Sequence, residues 1–262
     1  MRIDRETRAI VTGAGKGIGR AIAESLAARG ARVGLVARSG DELEALAAEL
    51  GERASAHPAD VAERDAIEGA VSDFLARAGG LDLLVANAGI ARYAPFNEQD
   101  PEHAEAMVRT NVLGTINTVR AGLDPMLDRG RGHVVVVSSA AALRAFPWAA
   151  VYGATKAANK GFAEALRHEL SGTGVSLTTV FPGEVSTELH AEATQLPDWR
   201  QSDEEIPASE VAEATLAAVT SDRREVHIPR QVRLLALNDV APGLVDRLLA
   251  AIRGGAAAPR RY

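Results

Sequence analysis

Short apolar stretches alternating with helical patterns predict an α/β fold for this 262-residue chain. Repeated strand-helix units imply a doubly wound parallel sheet of about seven strands, with helices on both faces and right-handed connections. A second observation is the run of four valines at 134–137, which suits a parallel strand covered on both faces. The third is size, because 262 residues that are 47% hydrophobic fill one such domain with a substantial core.

The elements follow in order. Residues 8–11 make a first strand, and TGAGKGIG at 12–19 leads into the helical pattern RAIAESLAARG, closed by Gly30. Residues 32–37 form the second strand, after which Ser39 and Glu42 read as a capping box for the helix DELEALAAEL. A brief third strand around 55–57 ends at Asp60 and Val61. A helix over about 63–78 then precedes LDLLVANAG, the fourth strand and its exit loop. Asp100 followed by Pro101 is a helix start, and one long helix with Asn111 near its middle runs towards Met126. Residues 132–138 are the fifth strand, and a helix carrying Tyr152 extends to about Ser171. VSLTTVF ends in the turn Pro182-Gly183. Residues 184–207 are charged and aperiodic, the signature of a lid, since long irregular loops in compact domains usually carry function. A helix over 209–220 and the strand EVHIP complete the alternation. Ligands of such sheets bind outside the carboxyl ends of the strands, and the motifs read from the elements lie at such an end or on the helix that follows it.

Composition excludes several classes of function. The net charge of -6 argues against a nucleic-acid or anionic-membrane surface as the main partner, since both need a positive field. With no cysteine, disulfides, thiolate nucleophiles and zinc–sulfur sites are excluded. Six scattered histidines form no HExxH or other metal set, so no metal is expected. The charged start MRIDRETRAIV lacks the apolar core of a signal peptide and no run reaches transmembrane length, so a cytoplasmic location is expected.

Gly13, Gly17 and Gly19 have a GxxxGxG spacing, with Ile18 in the third place of the better-known GxGxxG. Glycines there let the backbone turn tightly and approach a pyrophosphate at the N-terminus of the next helix. A loop serving packing alone is the alternative. A carboxylate at the end of the second strand would hold the ribose hydroxyls of NAD, but this chain has Ala37 and then Arg38. An arginine suits the 2′-phosphate of NADP, and Lys16 adds a second cation, so NADP(H) is expected over NAD(H).

Tyr152 and Lys156 are four apart at the start of a helix, which puts both on one face. Ser139, just past the valine strand, can join them. A free tyrosine has a pKa near ~10; an ammonium about 4 Å away contributes up to ~4 kcal/mol at an effective dielectric of ~20 and makes the phenol a usable acid. Phenol, ammonium and hydroxyl together can move a proton to or from a small oxygen-bearing substrate.

TGAGKGIG, Asp60-Val61, the NAG at 87–89, Asn111, Ser139, YGATK at 152–156 and PGEVST at 182–187 together resemble, in order and spacing, the short-chain dehydrogenases/reductases over about residues 7–228. The resemblance implies a single Rossmann-type domain and hydride transfer between a nicotinamide cofactor and a carbonyl or alcohol. It implies Tyr152 as acid/base, Lys156 binding the nicotinamide ribose and lowering the tyrosine pKa, Ser139 holding the substrate oxygen, and Asn111 completing a water-linked proton relay. It places Gly13, Lys16, Gly17, Ile18, Gly19 and Arg38 around the cofactor, with Asp60 and Val61 at the adenine. Asn87, Ala88 and Gly89 border the cofactor, as do Pro182 and Gly183, and Val185 and Thr187 meet the nicotinamide amide. Taken alone, Asp60 reads equally as a helix cap and Asn111 as a polar helix residue.

By position the pocket wall would include Tyr93, Ala140, Ala141, Leu143, Phe146 and Trp148, with Leu189, His190 and Trp199 from the lid. That wall suits a neutral, hydrophobic ketone, aldehyde or secondary alcohol, whereas Glu184 would suit a polar or amine-bearing one. A β-ketoacyl thioester reductase and a non-catalytic NADP-binding regulator are the rival functions. Ala86 stands where many relatives carry an asparagine. The chain also divides into residues 1–228 and a C-terminal extension, 229–262, whose Leu244, Val245, Leu248, Leu249 and Ile252 repeat at helical spacing. That stripe reads as packing on its own domain or a subunit neighbour, as a roof over the pocket, or as an interfacial membrane helix. The resemblance further implies a homodimer or homotetramer.

Overall fold

The computed structural model describes residues 1–186 and 205–243. Its elements alternate as β1 (Arg8–Thr12), α1 (Gly17–Ala28), β2 (Arg32–Ala37), α2 (Gly40–Leu50), β3 (Ala54–Pro58), α3 (Arg64–Ala78) and β4 (Leu83–Ala86). They continue as α4 (Pro101–Met107), a π-helical turn (Val108–Leu113), α5 (Gly114–Asp128), β5 (Gly132–Val137), α6 (Ala150–Glu169) and β6 (Val175–Pro182). Two-residue strands β7 (Val185–Ser186) and β8 (Ile206–Pro207), then α7 (Ala208–Thr220) and β9 (Glu225–Ile228), finish the sequence, followed by a 3-10 segment, Arg230–Asp239.

Seven strands form one parallel sheet in the order β3-β2-β1-β4-β5-β6-β9. This is the Rossmann-type arrangement expected from the sequence. The order reverses between β1 and β4, which opens a crevice at their carboxyl ends. Alternate residues feed two cores, because side chains of a strand point to opposite faces. Ala9 and Val11 of β1, with Val135 and Val137 of β5, pack beneath α1, α2 and α7. Ile10, Val134 and Val136 face the other way, against Phe74 of α3, Val119 of α5 and Leu166 of α6. Both faces of the valine strand are therefore buried.

The floor of the sheet is locked by charge. Asp82, at the entry to β4, accepts from Arg8 Nε at 2.7 Å and from Arg129 Nη2 at 2.9 Å, tying β1, β4 and the end of α5 together. Burial opposes its ionisation, but hydrogen bonds from Arg8 and Arg129 hold the carboxyl below its ordinary range.

Three local expectations are corrected. Ser39 is the N-cap of α2 but its hydroxyl makes no cap bond, and Glu42 reaches Lys16 at 3.4 Å instead of closing a capping box. The single long helix through Asn111 is interrupted by the π turn. Residues 185–186 and 206–207, read as part of an aperiodic loop, pair as a parallel clasp at its base. After β9, Val232 packs with Ala140, Leu143 and Phe181. Among the described residues no helix is long and apolar enough to cross a membrane.

Candidate active site

The glycine loop after β1 is built around contacts that leave no room for side chains. A Cβ on Gly19 would stand 2.1 Å from the Gly13 carbonyl oxygen, and one on Gly13, itself at φ +65°, would stand 2.9 Å from Ala88 Cα. The turn thus folds onto the first turn of α1 and the exit of β4 at once. Thr12 supplies the join: its hydroxyl accepts from the backbone N–H of Asn87 at 3.1 Å and of Ala88 at 3.2 Å. Asn87 Nδ2 donates back to the Thr12 carbonyl at 3.0 Å.

This cradle fits a dinucleotide. Gly17 opens α1 at φ +54°; the N-cap, Lys16, makes no side-chain cap bond and the first turn holds no acidic residue. The helix N-terminus therefore keeps its positive end for an anion. Ile18 packs onto the core below. Arg38 is exposed just beyond β2 and makes no ion pair among the described residues. Lys16 is paired with Glu42. Asp60 Oδ1 accepts from Ala62 N–H at 2.9 Å, a local turn-forming bond, and Val61 is buried against Gly114.

At the next crevice wall α6 presents Tyr152 and Lys156, both buried, with Lys156 Nζ 5.9 Å from the tyrosine ring centroid. Nζ donates to the Val137 carbonyl at 3.1 Å. Burial pushes the lysine pKa down from 10.5 to about 8. Asn111 is fully buried in the π turn: its Oδ1 accepts from Ile90 N–H at 2.8 Å, and its Nδ2 donates to the Ile90 carbonyl and the Thr155 hydroxyl at 2.9 Å each. A Cβ on Gly89 would lie 3.2 Å from Asn111 Oδ1 and 3.3 Å from Lys156 Nζ, so these three residues converge. Ser139 follows β5 in extended backbone, its hydroxyl accepting from Ala141 N–H at 3.1 Å. Among the described residues the hydroxyl donates to no acceptor, so its hydrogen is left for a ligand oxygen.

Of the expected wall, Tyr93, Ala141 and Phe146 gather with Tyr152, together with Ala91 and Met107. The Tyr93 and Tyr152 rings meet edge-on at 6.0 Å. Ala140 and Leu143 are not brought into that cluster; they pack under Phe181 and Val232. Trp148 is half-buried, with φ +68°. A left-handed backbone costs a non-glycine residue about 1–2 kcal/mol.

At the end of β6, Gly183 N–H donates to the Ile228 carbonyl at 2.7 Å, following Pro182. Val185 is buried, and the Glu184 carbonyl accepts from Ile206 N–H at 2.9 Å. Thr187, Leu189, His190 and Trp199 lie outside the described residues, as does the 244–252 stripe. Among the described residues no three His, Asp or Glu side chains gather as metal ligands would.

Reading the sequence missed Thr12, Thr155 and Ser138, whose hydroxyl donates to the Lys156 carbonyl at 2.8 Å. For Thr12 and Ser138 the available signal was a polar residue at the end of an otherwise apolar strand; Thr155, inside α6, carried no such signal.

A family model described as short chain dehydrogenase matches residues 7–197. An uncharacterized oxidoreductase of Myxococcus xanthus is 41% identical over 186 residues, 70% of this chain and 74% of that one. A crystal structure of a short chain dehydrogenase/reductase from Burkholderia phymatum in complex with NAD superposes with a TM-score of 0.85 at 24% identity, covering 94% of this chain and 96% of that one, which speaks to fold alone. An alcohol dehydrogenase from the archaeon Thermococcus sibiricus, complexed with 5-hydroxy-NADP, gives 0.75 at 31% identity over 84% of this chain and 95% of that one. The chain belongs to the short-chain dehydrogenase/reductase family and is an oxidoreductase.

Proposed function

We propose that the protein is an NADP(H)-dependent oxidoreductase that interconverts a neutral, hydrophobic ketone or aldehyde and the matching alcohol, with Tyr152 as its acid/base. The observation carrying this reading is the Lys156 ammonium, buried and 5.9 Å from the centre of the Tyr152 ring. A buried cation stabilises phenolate more than an exposed one does, because little solvent screens it. Ser139, whose hydroxyl donates to no acceptor among the described residues, holds the substrate oxygen. Tyr152 Oη then gives that oxygen its proton in reduction and takes it in oxidation. Bound nicotinamide supplies or accepts the hydride. Asn111 holds the β4 exit loop through Ile90 and stands beside Lys156, a place that suits a water-linked proton path.

The α1 N-terminus, Gly13 and Gly89 accommodate the dinucleotide, and exposed Arg38 with Lys16 selects the 2′-phosphate. The apolar cluster of Ala91, Met107, Ala141 and Tyr93 around Tyr152 favours a hydrophobic substrate. Val108 and Leu113, exposed at 43% and 47% beside α5, form part of a surface for homodimer or homotetramer pairing. The deciding experiment is a paired titration with NADPH and NADH followed by NADPH oxidation against a carbonyl panel. Tighter NADPH binding with turnover of hydrophobic ketones is expected. Tight binding without turnover would favour a regulator, and preferential turnover of β-ketoacyl thioesters would replace the substrate class.

A further inference from the structure

The edge strand β3 and the helix α3 share a chain of polar side chains that the redox site does not use. Ser55 Oγ stands 2.8 Å from His57 Nε2. His57 Nδ1 stands 2.9 Å from Asp73 Oδ2 on α3, its N–H out of line with that oxygen. Arg77 Nε donates to the other carboxylate oxygen at 3.0 Å and holds Asp73 below its ordinary pKa range. Ser55 and His57 are two apart on a strand, so both reach the face of the sheet that α3 covers. His57 is buried edge-on against Phe74, their ring centroids 5.8 Å apart. An apolar side chain would fill that place without the cost of desolvating an imidazole.

The atoms define the roles. A carboxylate beside Nδ1 favours the ring proton there, which leaves Nε2 to accept from the Ser55 hydroxyl. Burial keeps the ring neutral, its pKa below 6.5 although Asp73 pulls the other way; Arg77 is the other charge that acts on it. Hydroxyl, neutral base and orienting carboxylate in this order activate a serine. The backbone adds a donor. The ladder to β2 uses the odd positions, the Arg53 carbonyl accepting from Val33 N–H at 2.8 Å and Ala59 N–H donating to the Ala37 carbonyl at 2.9 Å. Ala56 therefore turns its N–H to the free edge, since alternate residues of a parallel edge strand face outward. The N–H of the residue after a nucleophile is where an oxyanion finds its donor.

We propose that Ser55, His57 and Asp73 form a second, hydrolytic centre on the β3 edge, at which small esters acylate Ser55. Ser55 Oγ attacks the ester carbonyl as its proton passes to His57 Nε2, the acyl–oxygen bond breaks, and that proton leaves with the alcohol. Water then repeats the step on the acyl-serine, releasing the carboxylic acid and restoring the hydroxyl. Ala56 N–H faces the carbonyl oxygen as it gains charge. The centre lies four strands from β5, roughly 19 Å at the usual strand spacing, and so works apart from Tyr152.

Covalent trapping and hydrolysis test this together. The protein is treated with an alkyl fluorophosphonate, from which Ser55 Oγ displaces fluoride, and the labelled residue is located by peptide mapping. Hydrolysis of p-nitrophenyl acetate is followed in parallel, with heat-denatured protein as the background. The label is expected on Ser55, and Ser55→Ala should lose it and lower hydrolysis about tenfold or more. Asp73→Asn, at a half-exposed position, should slow labelling and hydrolysis about tenfold or more, because the carboxylate orients the base. NADPH affinity and ketone reduction should stay within about twofold in both variants, as expected of distant sites. Hydrolysis no faster than the background, a label on any residue but Ser55, or unchanged rates in Asp73→Asn overturns the proposal, since a hydroxyl that only satisfies His57 would behave so. Where Ser55→Ala does not fold, the position of the label and the Asp73→Asn rates decide. Failure of the carbonyl chemistry looks different: ketone reduction would be absent while Ser55 was still labelled.

Discussion

Lys156 is a charge held where water cannot reach it, at 4% exposure, and that tension makes its two roles separable. Its pKa of about 8 lies below the ordinary 10.5, so between those values the unfolded chain binds more protons than the folded one. Stability from this residue therefore rises as pH increases across that window, and at neutral pH the buried ammonium opposes folding by roughly 3 kcal/mol. Lys156→Met should raise Tm by several degrees in calorimetry while reducing turnover by at least ~10²-fold. An unchanged or lower Tm would mean that the Val137 carbonyl bond matters more than desolvation. Tyr152→Phe should lower turnover by roughly 10² to 10⁴ with NADPH affinity preserved, as expected for a lost general acid. Near-normal activity in that variant would remove Tyr152 from the mechanism.

At the level of elements, the carboxyl end of β2 and the entry of β5 carry opposite kinds of consequence. Arg38, exposed just past β2, should act on the cofactor alone: Arg38→Asp is expected to weaken NADPH binding tenfold or more while leaving NADH binding equal or better. Identical affinities in both proteins would show that Arg38 only faces solvent. His133, at the entry of β5, is buried with Nε2 2.8 Å from the Thr178 hydroxyl, which in turn donates to the Arg223 carbonyl at 2.6 Å, joining β5 and β6 to the approach of β9. Burial pushes its pKa down to about 4. The folded state thus keeps it neutral, and its contribution is complete above about pH 6.5 and lost as pH falls towards 4, reaching roughly 3 kcal/mol. Tm measured across that window should decline less steeply in His133→Leu than in wild type. His57, also lowered by burial, titrates in the same sense and will leave part of the slope in place.

Across the whole molecule, the parts legible in the sequence are those whose information is local. Strand and helix alternation, the glycine spacing, the four valines and the Tyr152–Lys156 interval depend on neighbours along the chain, and each appears in the fold as an element or a shared face. Family membership was legible for the same reason, since it rests on ordered short motifs. Partner choice was not. By spacing Glu42 caps its own helix, yet the folded chain puts Lys16, on a different loop, within 3.4 Å of it. Asn111 by itself reads equally as a polar helix residue, and only the fold closes the β4 exit loop and α6 on it with three hydrogen bonds, one spanning 44 positions. Ala140 and Leu143, neighbours of Ser139 in sequence, belong to a cluster completed by Phe181 and Val232.

The sequence by itself therefore determined the main strand-helix alternation and the parallel sheet and singled out the proton-transfer candidates, because periodicity and spacing act over a few residues. Only the tertiary structure decided which side chains are desolvated, which polar groups are already engaged, and where the backbone is strained, at Trp148. Those properties belong to contacts between residues far apart in the chain, and it is they that set the charge, reach and shape of the site.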